Sequence, residues 1–185
     1  MSLMTKNQLA ASLKKLMNKS SLDNITVKDV VADCGVNRQT FYYHFQDIYE
    51  LLGWIYRTEA LDAIKNYKNY ETWQFGFLKI FQYVEANKAF CLHTLYSLGR
   101  EHLEQSLLSV TFALLYDVIE ELAAGHNISQ EDKKFIANFY SYAFVYLLLE
   151  WLRTGAKEKP ETVIEKLSKL IDGDLSRAIE KHEQK

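Results

Sequence analysis

The stretch TVKDVVADCGVNRQTFYYHFQDIYE, residues 26–50, decides how this chain is read. Thr26-Val27-Lys28-Asp29 has the residue types that open a short helix, since a hydroxyl before the first turn accepts an otherwise orphaned backbone N–H. Gly35 stops that helix and supplies a tight turn, and Asn37 is placed to cap the next. Val30, Val31 and Val36 are the small apolar residues that two crossing helices need where they touch. The pattern is a helix-turn-helix. On pattern alone a hairpin that merely packs would serve equally, and the composition of the second helix decides between them.

On a wheel of 100° per residue starting at Arg38, Phe41 and Phe45 lie together at roughly 300° and 340° and form the buried edge. Arg38, Gln39, Tyr42 and Tyr43 fall between roughly 0° and 140°, on the other side. Two aromatic rings beside an Arg and a Gln waste apolar area in water unless something covers them. Their chemistry fits base edges: Arg for the guanine acceptors, Gln for adenine, aromatic carbons for the thymine methyl. Thr40 and His44 flank this face at about 200° and 240°, where a hydroxyl and an imidazole meet phosphates. The plain alternative is a solvated polar face.

These residues carry a resemblance. Thr26, Gly35-Val36-Asn37, Thr40-Phe41-Tyr42-Tyr43-His44-Phe45 and Asp47 to Leu52 resemble the DNA-binding domain of the TetR/AcrR family of bacterial transcription regulators. The resemblance covers Ile25 through Leu52, about a quarter of the chain. It implies an all-α homodimer of about nine helices per subunit, three of them forming a DNA-binding head. It also implies base contacts from Arg38, Gln39 and Tyr42 and backbone contacts from Thr26, Thr40, Tyr43 and His44. The family often has a Lys at the second position of the fourth helix, where this chain has Ile48. That phosphate contact is then either missing or supplied by Gln46 or Lys28.

Outward from this segment, the chain has 185 residues, one domain or two small ones at ~150 residues each. Lys and Arg number 22 against 24 Asp and Glu, so no global charge advertises a nucleic-acid binder. Residues 1–58 carry seven basic against five acidic side chains and the remainder 15 against 19, so the excess of positive charge is confined to the first part. A composition 48% hydrophobic and 25% charged excludes wholesale disorder. With one Pro and seven Gly, collagen-like and loop-dominated folds are excluded. Cys34 and Cys91 are too isolated for a disulfide framework, and Cys91-x-His93 lacks further ligands at helical spacing, so neither metal nor other cofactor is expected. Met1-Ser2-Leu3 has no assigned role. No charged start leads into an apolar segment, and a cytoplasmic protein is expected.

Phe135 to Leu152 is 18 residues long and nearly all apolar or aromatic, close to the ~20 residues of a membrane span. Glu150 inside it and the absence of a one-sided basic flank favour a helix buried on nearly all sides instead, with no membrane partner.

Helical periodicity dominates the chain. Leu9, Leu13 and Leu16 form a first stripe, with Thr5 to Gln8 at capping-box spacing before it. Trp73, Phe77, Ile80, Phe81 and Val84 form another, as do Leu103, Leu107, Val110, Leu114, Val118 and Leu122. A long helix from about Ser129 to Gly155 follows, and Pro160 opens one carrying Ile164, Leu167, Ile171, Leu175 and Ala178. Gly99, Gly125 and Gly155 sit where helices are expected to stop. Eight to ten helices and no sheet are expected, divided as residues 4–50, a DNA-binding helix-turn-helix domain, and residues 51–185, a helical bundle for ligand binding and dimerisation.

An apolar helix from Ser129 to Gly155 requires cover on two sides, one from its own domain and one from a second subunit. The dimer interface is accordingly placed on Phe139, Tyr142 and Tyr146 of that helix and on Ile164, Leu167, Ile171 and Leu175 of the last one; the alternative is one intramolecular core. A two-fold sets the reading helices about 34–36 Å apart on successive major grooves of a pseudo-palindrome. A ligand cavity is expected among the middle helices, near Trp54, Trp73, Phe77, Tyr96 and Tyr116, with His93 and Asn138 to orient a ligand. Gly53 within the fourth helix costs about 1 kcal/mol relative to Ala and leaves room for a bend. Phe41 in its motif, Trp54, Tyr70-x-x-Trp73-Gln74 and Tyr83-x-x-Ala86-Asn87 further resemble a subgroup that includes regulators of dihydroxyacetone kinase operons, which contains activators.

No carboxylate pair, Ser/His/Asp set or phosphate loop stands out, so no enzyme is expected. The expected function is a homodimeric DNA-binding transcription regulator modulated by a small-molecule or protein effector. Its competitor is a helical adaptor that binds protein through the Arg38/Tyr42 face without DNA.

Overall fold

A computed structural model describes residues 2–64, 67, 69–171 and 173–183. Among them the chain forms ten α-helices and a single 3-10 turn, and no strand. In order these are α1 (Ser2–Met17), the turn Leu22–Asn24, α2 (Val27–Cys34), α3 (Arg38–His44), α4 (Ile48–Ile64) and α5 (Trp73–Ala86). There follow α6 (Lys88–Leu95), α7 (Arg100–Leu122), α8 (Gln130–Arg153), α9 (Pro160–Ile171) and α10 (Asp174–Lys181). The chain divides into two compact units, residues 1–59 with 87–106 and residues 60–86 with 107–185.

The first unit is built on α1. Leu9, Leu13 and Met17 are fully buried, at i, i+4 and i+8, so Met17 completes the seam and not Leu16. The helix already begins at Ser2, which places Thr5 to Gln8 inside it and not at its cap. Helix α1 packs on α2, α3 and α6. The Ser12 hydroxyl donates to the Val30 carbonyl at 3.0 Å, so a buried polar group at the α1–α2 contact has its partner. Where the sequence reading divides the chain at residue 50, the first unit takes in more of α4. The α4 face Leu51, Leu52, Ile55 and Tyr56 is buried, and the Tyr56 hydroxyl donates to Thr94 Oγ1 of α6 at 2.8 Å.

Two glycines serve close approach. A Cβ on Gly99 would lie 2.6 Å from a Leu22 methyl and 2.7 Å from a Leu52 methyl, so the position needs hydrogen rather than a left-handed backbone. Helix α4 runs through Gly53 without a break. A Cβ there would come within 3.1 Å of both Arg57 Nη1 and His102 Nδ1, so this glycine admits the His102 ring of α7 beside α4.

In the second unit, the expected α5 stripe is buried throughout, and Phe77 stacks on Phe144 of α8 with centroids 3.9 Å apart. Helix α9 packs on α5 and α10 on α8. The last expected helix is two: Gly173, at φ 73°, turns the chain between α9 and α10. Helix α8 is long and apolar enough to cross a membrane by length and composition, and half of its most apolar window is buried. The remainder is exposed along one side of the helix, so α8 is not covered all round in a single chain.

Candidate nucleic-acid interface

Local chemistry sets the edges of α2 and α3. The Asp29 backbone N–H reaches the Thr26 hydroxyl oxygen at 3.4 Å, while Asp29 accepts from the Thr26 backbone N–H at 2.9 Å and from its hydroxyl at 2.6 Å. This reciprocal box closes the α2 N-terminus. Those two hydrogen bonds from Thr26 hold the Asp29 carboxyl below the usual carboxylate range. Gly35 then takes a left-handed conformation, φ 72°, and its N–H returns to Val31 O. Asn37 Oδ1 accepts from the Thr40 backbone N–H at 2.7 Å and from the Thr40 hydroxyl at 2.9 Å. One amide thus fixes both the start of α3 and the rotamer of Thr40.

Within α3, Phe41 is buried and Phe45 after it nearly so, with Phe45 edge-on to Trp54 of α4 at 5.9 Å. The opposite side is bare. Tyr42 is 50% and Tyr43 82% exposed, and Arg38 and Gln39 are exposed beside them. The Arg38 guanidinium lies 6.0 Å from the Tyr42 ring centre and donates to the Tyr42 hydroxyl at 3.4 Å. That contact holds two long side chains as a pair on one face. Thr40 and His44 are half-buried at its edge, and Thr26 and Lys28 are exposed at the start of α2. Asn37, Gln39, Thr40 and Tyr43 together line a 300 Å³ hollow.

At the start of α4, Ile48 is buried in the first unit and presents no charge. Asp47 accepts from the Glu50 N–H at 2.8 Å, and Glu50 accepts from the Gln46 N–H at 2.5 Å. Gln46 is exposed, but its backbone N–H is already used. Sequence reasoning passed over Lys6, whose ammonium lies 5.4 Å from the centre of Phe45 and 5.9 Å from that of Trp54. No local pattern links position 6 to position 45, because α1 meets them only through the fold.

The residues expected around a ligand cavity are dispersed. In the first unit, Trp54 lines a 450 Å³ groove with α1 residues including Ala10, Ala11 and Lys14. His93 Nδ1 donates to the Met17 carbonyl and so ties α6 to the end of α1, while Tyr96 is exposed. In the second unit, Trp73 and Phe77 are core residues against Phe144, Tyr116 is bonded to Gln130, and Asn138 is exposed.

The expected interface residues separate just as clearly. Phe139, Tyr142 and Tyr146 of α8 are 61–67% exposed. Ile164, Leu167 and Ile171 of α9 and Leu175 of α10 are no more than 9% exposed, so within a single chain they are packed into the core of the unit. An amphipathic seam takes the nearest apolar cover, which here lies within the unit. The outward residue of α9 is Leu170, and on α8 Phe135 extends the stripe by a turn. Among the described residues no group of three or more His, Cys, Asp or Glu could hold a metal ion. Burial pushes the Cys91 thiol up to about 12.

Comparison with known proteins gives a consistent picture. Residues 9–53 match the family described as "Bacterial regulatory proteins, tetR family", and residues 71–173 match "Transcriptional regulator C-terminal region" of the same family series. The chain is 28% identical over 156 residues to the HTH-type dhaKLM operon transcriptional activator DhaS of Lactococcus lactis, covering 83% of this chain and 82% of that protein. A solved structure of a dihydroxyacetone kinase operon activator DhaS superposes with a TM-score of 0.74 at 25% identity, covering 98% of this chain and 99% of that one. The fatty acid degradation regulator FadR of Bacillus halodurans shares the fold at a TM-score of 0.65 and 15% identity, over 91% of this chain and 94% of its own. These relatives are regulators by name and not enzymes.

Proposed function

Because this chain belongs to the tetR family of bacterial regulatory proteins, we propose that it acts in the cytoplasm as a homodimer, each copy placing one α3 in a major groove of a pseudo-palindromic operator. The observation that carries the reading is the two-sidedness of α3: Phe41 is buried while Tyr42, Tyr43, Arg38 and Gln39 stand in solvent. Arg38, Gln39 and Tyr42 read base edges, and Thr26, Lys28, Thr40, Tyr43 and His44 hold phosphates. In this division of the chain, residues 4–50 bind DNA and residues 51–185 dimerise and receive an effector.

Two features argue for modest affinity. Ile48 brings no cation, and the carboxylates of Asp47 and Glu50 occupy the first turn of α4. Few phosphates are then neutralised, and the logarithm of affinity falls slowly with the logarithm of salt. A small-molecule or protein effector regulates by binding one arrangement of the dimer better than another, which is the only way a ligand shifts such an equilibrium. DhaS is an activator by name, and by analogy activation is the expected sign here.

The test is a gel shift against DNA upstream of the chain's own gene and its neighbours. Tyr42→Ala and Gln39→Ala should keep the helical circular dichroism and lose the shifted band. Wild-type binding by both would overturn the assigned face. Absence of any shift by the wild-type dimer, with a protein captured through Arg38 and Tyr42, would favour the adaptor.

A further inference from the structure

The run Tyr70-x-x-Trp73-Gln74 takes no part in the α3 face, and it forms one wall of a small pocket of its own. Within the second unit, the turn entering α5, the last turn of α9 and the start of α10 enclose about 200 Å³. The apolar wall is Trp73 with Ile171 and Leu175, and the polar groups come from Glu71, Gln74 and Ser168. This place is apart from the cavity expected among the middle helices, because α9 and α10 close it.

Trp73 is the decisive residue. Only 5% of it is exposed, and its ring packs edge-on to Phe77 and to Phe144. Its indole N–H donates to no protein atom, although no enclosed side-chain nitrogen or oxygen among the described residues lacks a partner. The sliver of Trp73 left open therefore includes that N–H, and the ring lines the pocket. Trp151, 7% exposed, instead donates its Nε1 proton to the Glu158 carbonyl at 2.8 Å. Nearly buried indole N–H groups are normally paired, so an open one marks the place of an acceptor that the chain does not supply.

The surrounding groups define what carries that acceptor. At the rim the exposed Glu71 carboxylate accepts, and the Gln74 amide both donates and accepts. The Ser168 hydroxyl donates to the Ile164 carbonyl at 2.9 Å, which leaves its oxygen able to accept. No Lys or Arg is among the described lining residues, and a second carboxylate, Glu121, accepts from the Tyr70 backbone N–H at 2.8 Å, so an anion is repelled. A simple organic cation would answer Glu71 but has nothing to accept from Trp73. Hydroxyl groups do both, and their carbon chain suits a floor of indole, Ile171 and Leu175. At about 30 Å³ per water-sized group the space holds roughly six or seven non-hydrogen atoms. Asn69 Oδ1 accepts from the Thr72 backbone N–H at 2.9 Å, so the turn bearing Tyr70 and Glu71 is fixed before any ligand arrives.

We propose that this α5–α9–α10 pocket binds a small neutral polyol of three carbons, one hydroxyl accepting from Trp73 Nε1 and others donating to Glu71 and Ser168. Its regulatory meaning rests on the effector reading above, while binding itself requires neither DNA nor a second copy. Selective 15N labelling of the indole nitrogens in the full chain tests it, because three tryptophans give three side-chain signals. Trp54→Phe and Trp151→Phe assign two of them and leave Trp73 intact. Glycerol should move the Trp73 signal to saturation and leave the other two in place. Glu71→Ala and Gln74→Ala, exposed changes that leave the fold alone, should weaken this binding about tenfold and about threefold. Glycerol 3-phosphate should bind at least tenfold more weakly than glycerol. No saturable shift at tens of millimolar glycerol would overturn the proposal, as would equal movement of all three indoles or wild-type affinity in both variants. Glycerol 3-phosphate or choline binding as tightly as glycerol would overturn the ligand class. Glycerol binding with no operator shift would leave the pocket standing and overturn the DNA reading; an operator shift with no indole response would do the reverse.

Discussion

Helices α3 and α8 both leave large aromatic rings in water, yet the two surfaces differ in kind. On α3 every exposed ring carries a hydroxyl and has Arg38, Gln39 or Thr40 beside it. On α8 two of the four rings are phenylalanine, and their neighbours open into an apolar slot. A polar partner with flat edges suits the first; close-packed side chains suit the second. Exposed aromatic area by itself names no partner, and the polar groups interleaved with it do.

That contrast can be broken experimentally. The largest effect is expected beneath the α3 face: Phe41→Ala opens a cavity in the first unit and should cost about 3–5 kcal/mol in denaturant unfolding. Loss of less than 1 kcal/mol would mean that α3 is not anchored through that ring. Next, Asn37→Ala removes the cap of α3 and should cost about 1 kcal/mol while weakening operator binding more than that stability loss explains. Equal losses would show that the cap does nothing for the reading face. Acid gives a smaller change. The carboxyl of Asp29 is held low by its two Thr26 hydrogen bonds, so the stability it lends is complete above the ordinary carboxylate pKa near about 4 and is lost as pH falls through the lower folded value. Thermal stability should therefore fall below about pH 4, less steeply in Thr26→Ala. The smallest effect is on the surface: Tyr43→Ala and Phe139→Ala should each change the stability of the isolated chain by about 0.5 kcal/mol or less. They should part company in function, the first lowering DNA affinity and the second dimer affinity. If both lowered only one of these, the two faces would not be distinct.

The head was legible in the sequence because its signals are local. A hydroxyl three residues from an acid, a Gly, an Asn cap and two Phe four apart each act within one turn of helix, and the observed caps and buried edge follow them. The body was legible only as stripes. Ile164, Leu167 and Ile171 announce an apolar face, but periodicity does not say whether that face meets α5 of the same chain or a second copy. Gly173 between two acids was a sufficient signal for the α9–α10 break, outweighed in the reading by a stripe that continues in register through Leu175. Phe135, one turn before Phe139, was equally available. The ligand-cavity expectation rests on aromatic character, which core packing and cavities share, and on two polar side chains near apolar stripes; the structure places these residues in core, surface and groove, with His93 in an α1–α6 tie.

The fit at Gly53 has a mechanical corollary. Since α4 passes that residue unbroken and the imidazole of α7 rests against the missing side chain, position 53 works as a spacer of zero thickness. A carbon added there would press on the imidazole and the guanidinium, which would have to give by a few tenths of an ångström, so the bare backbone lets those two rods lie that much closer.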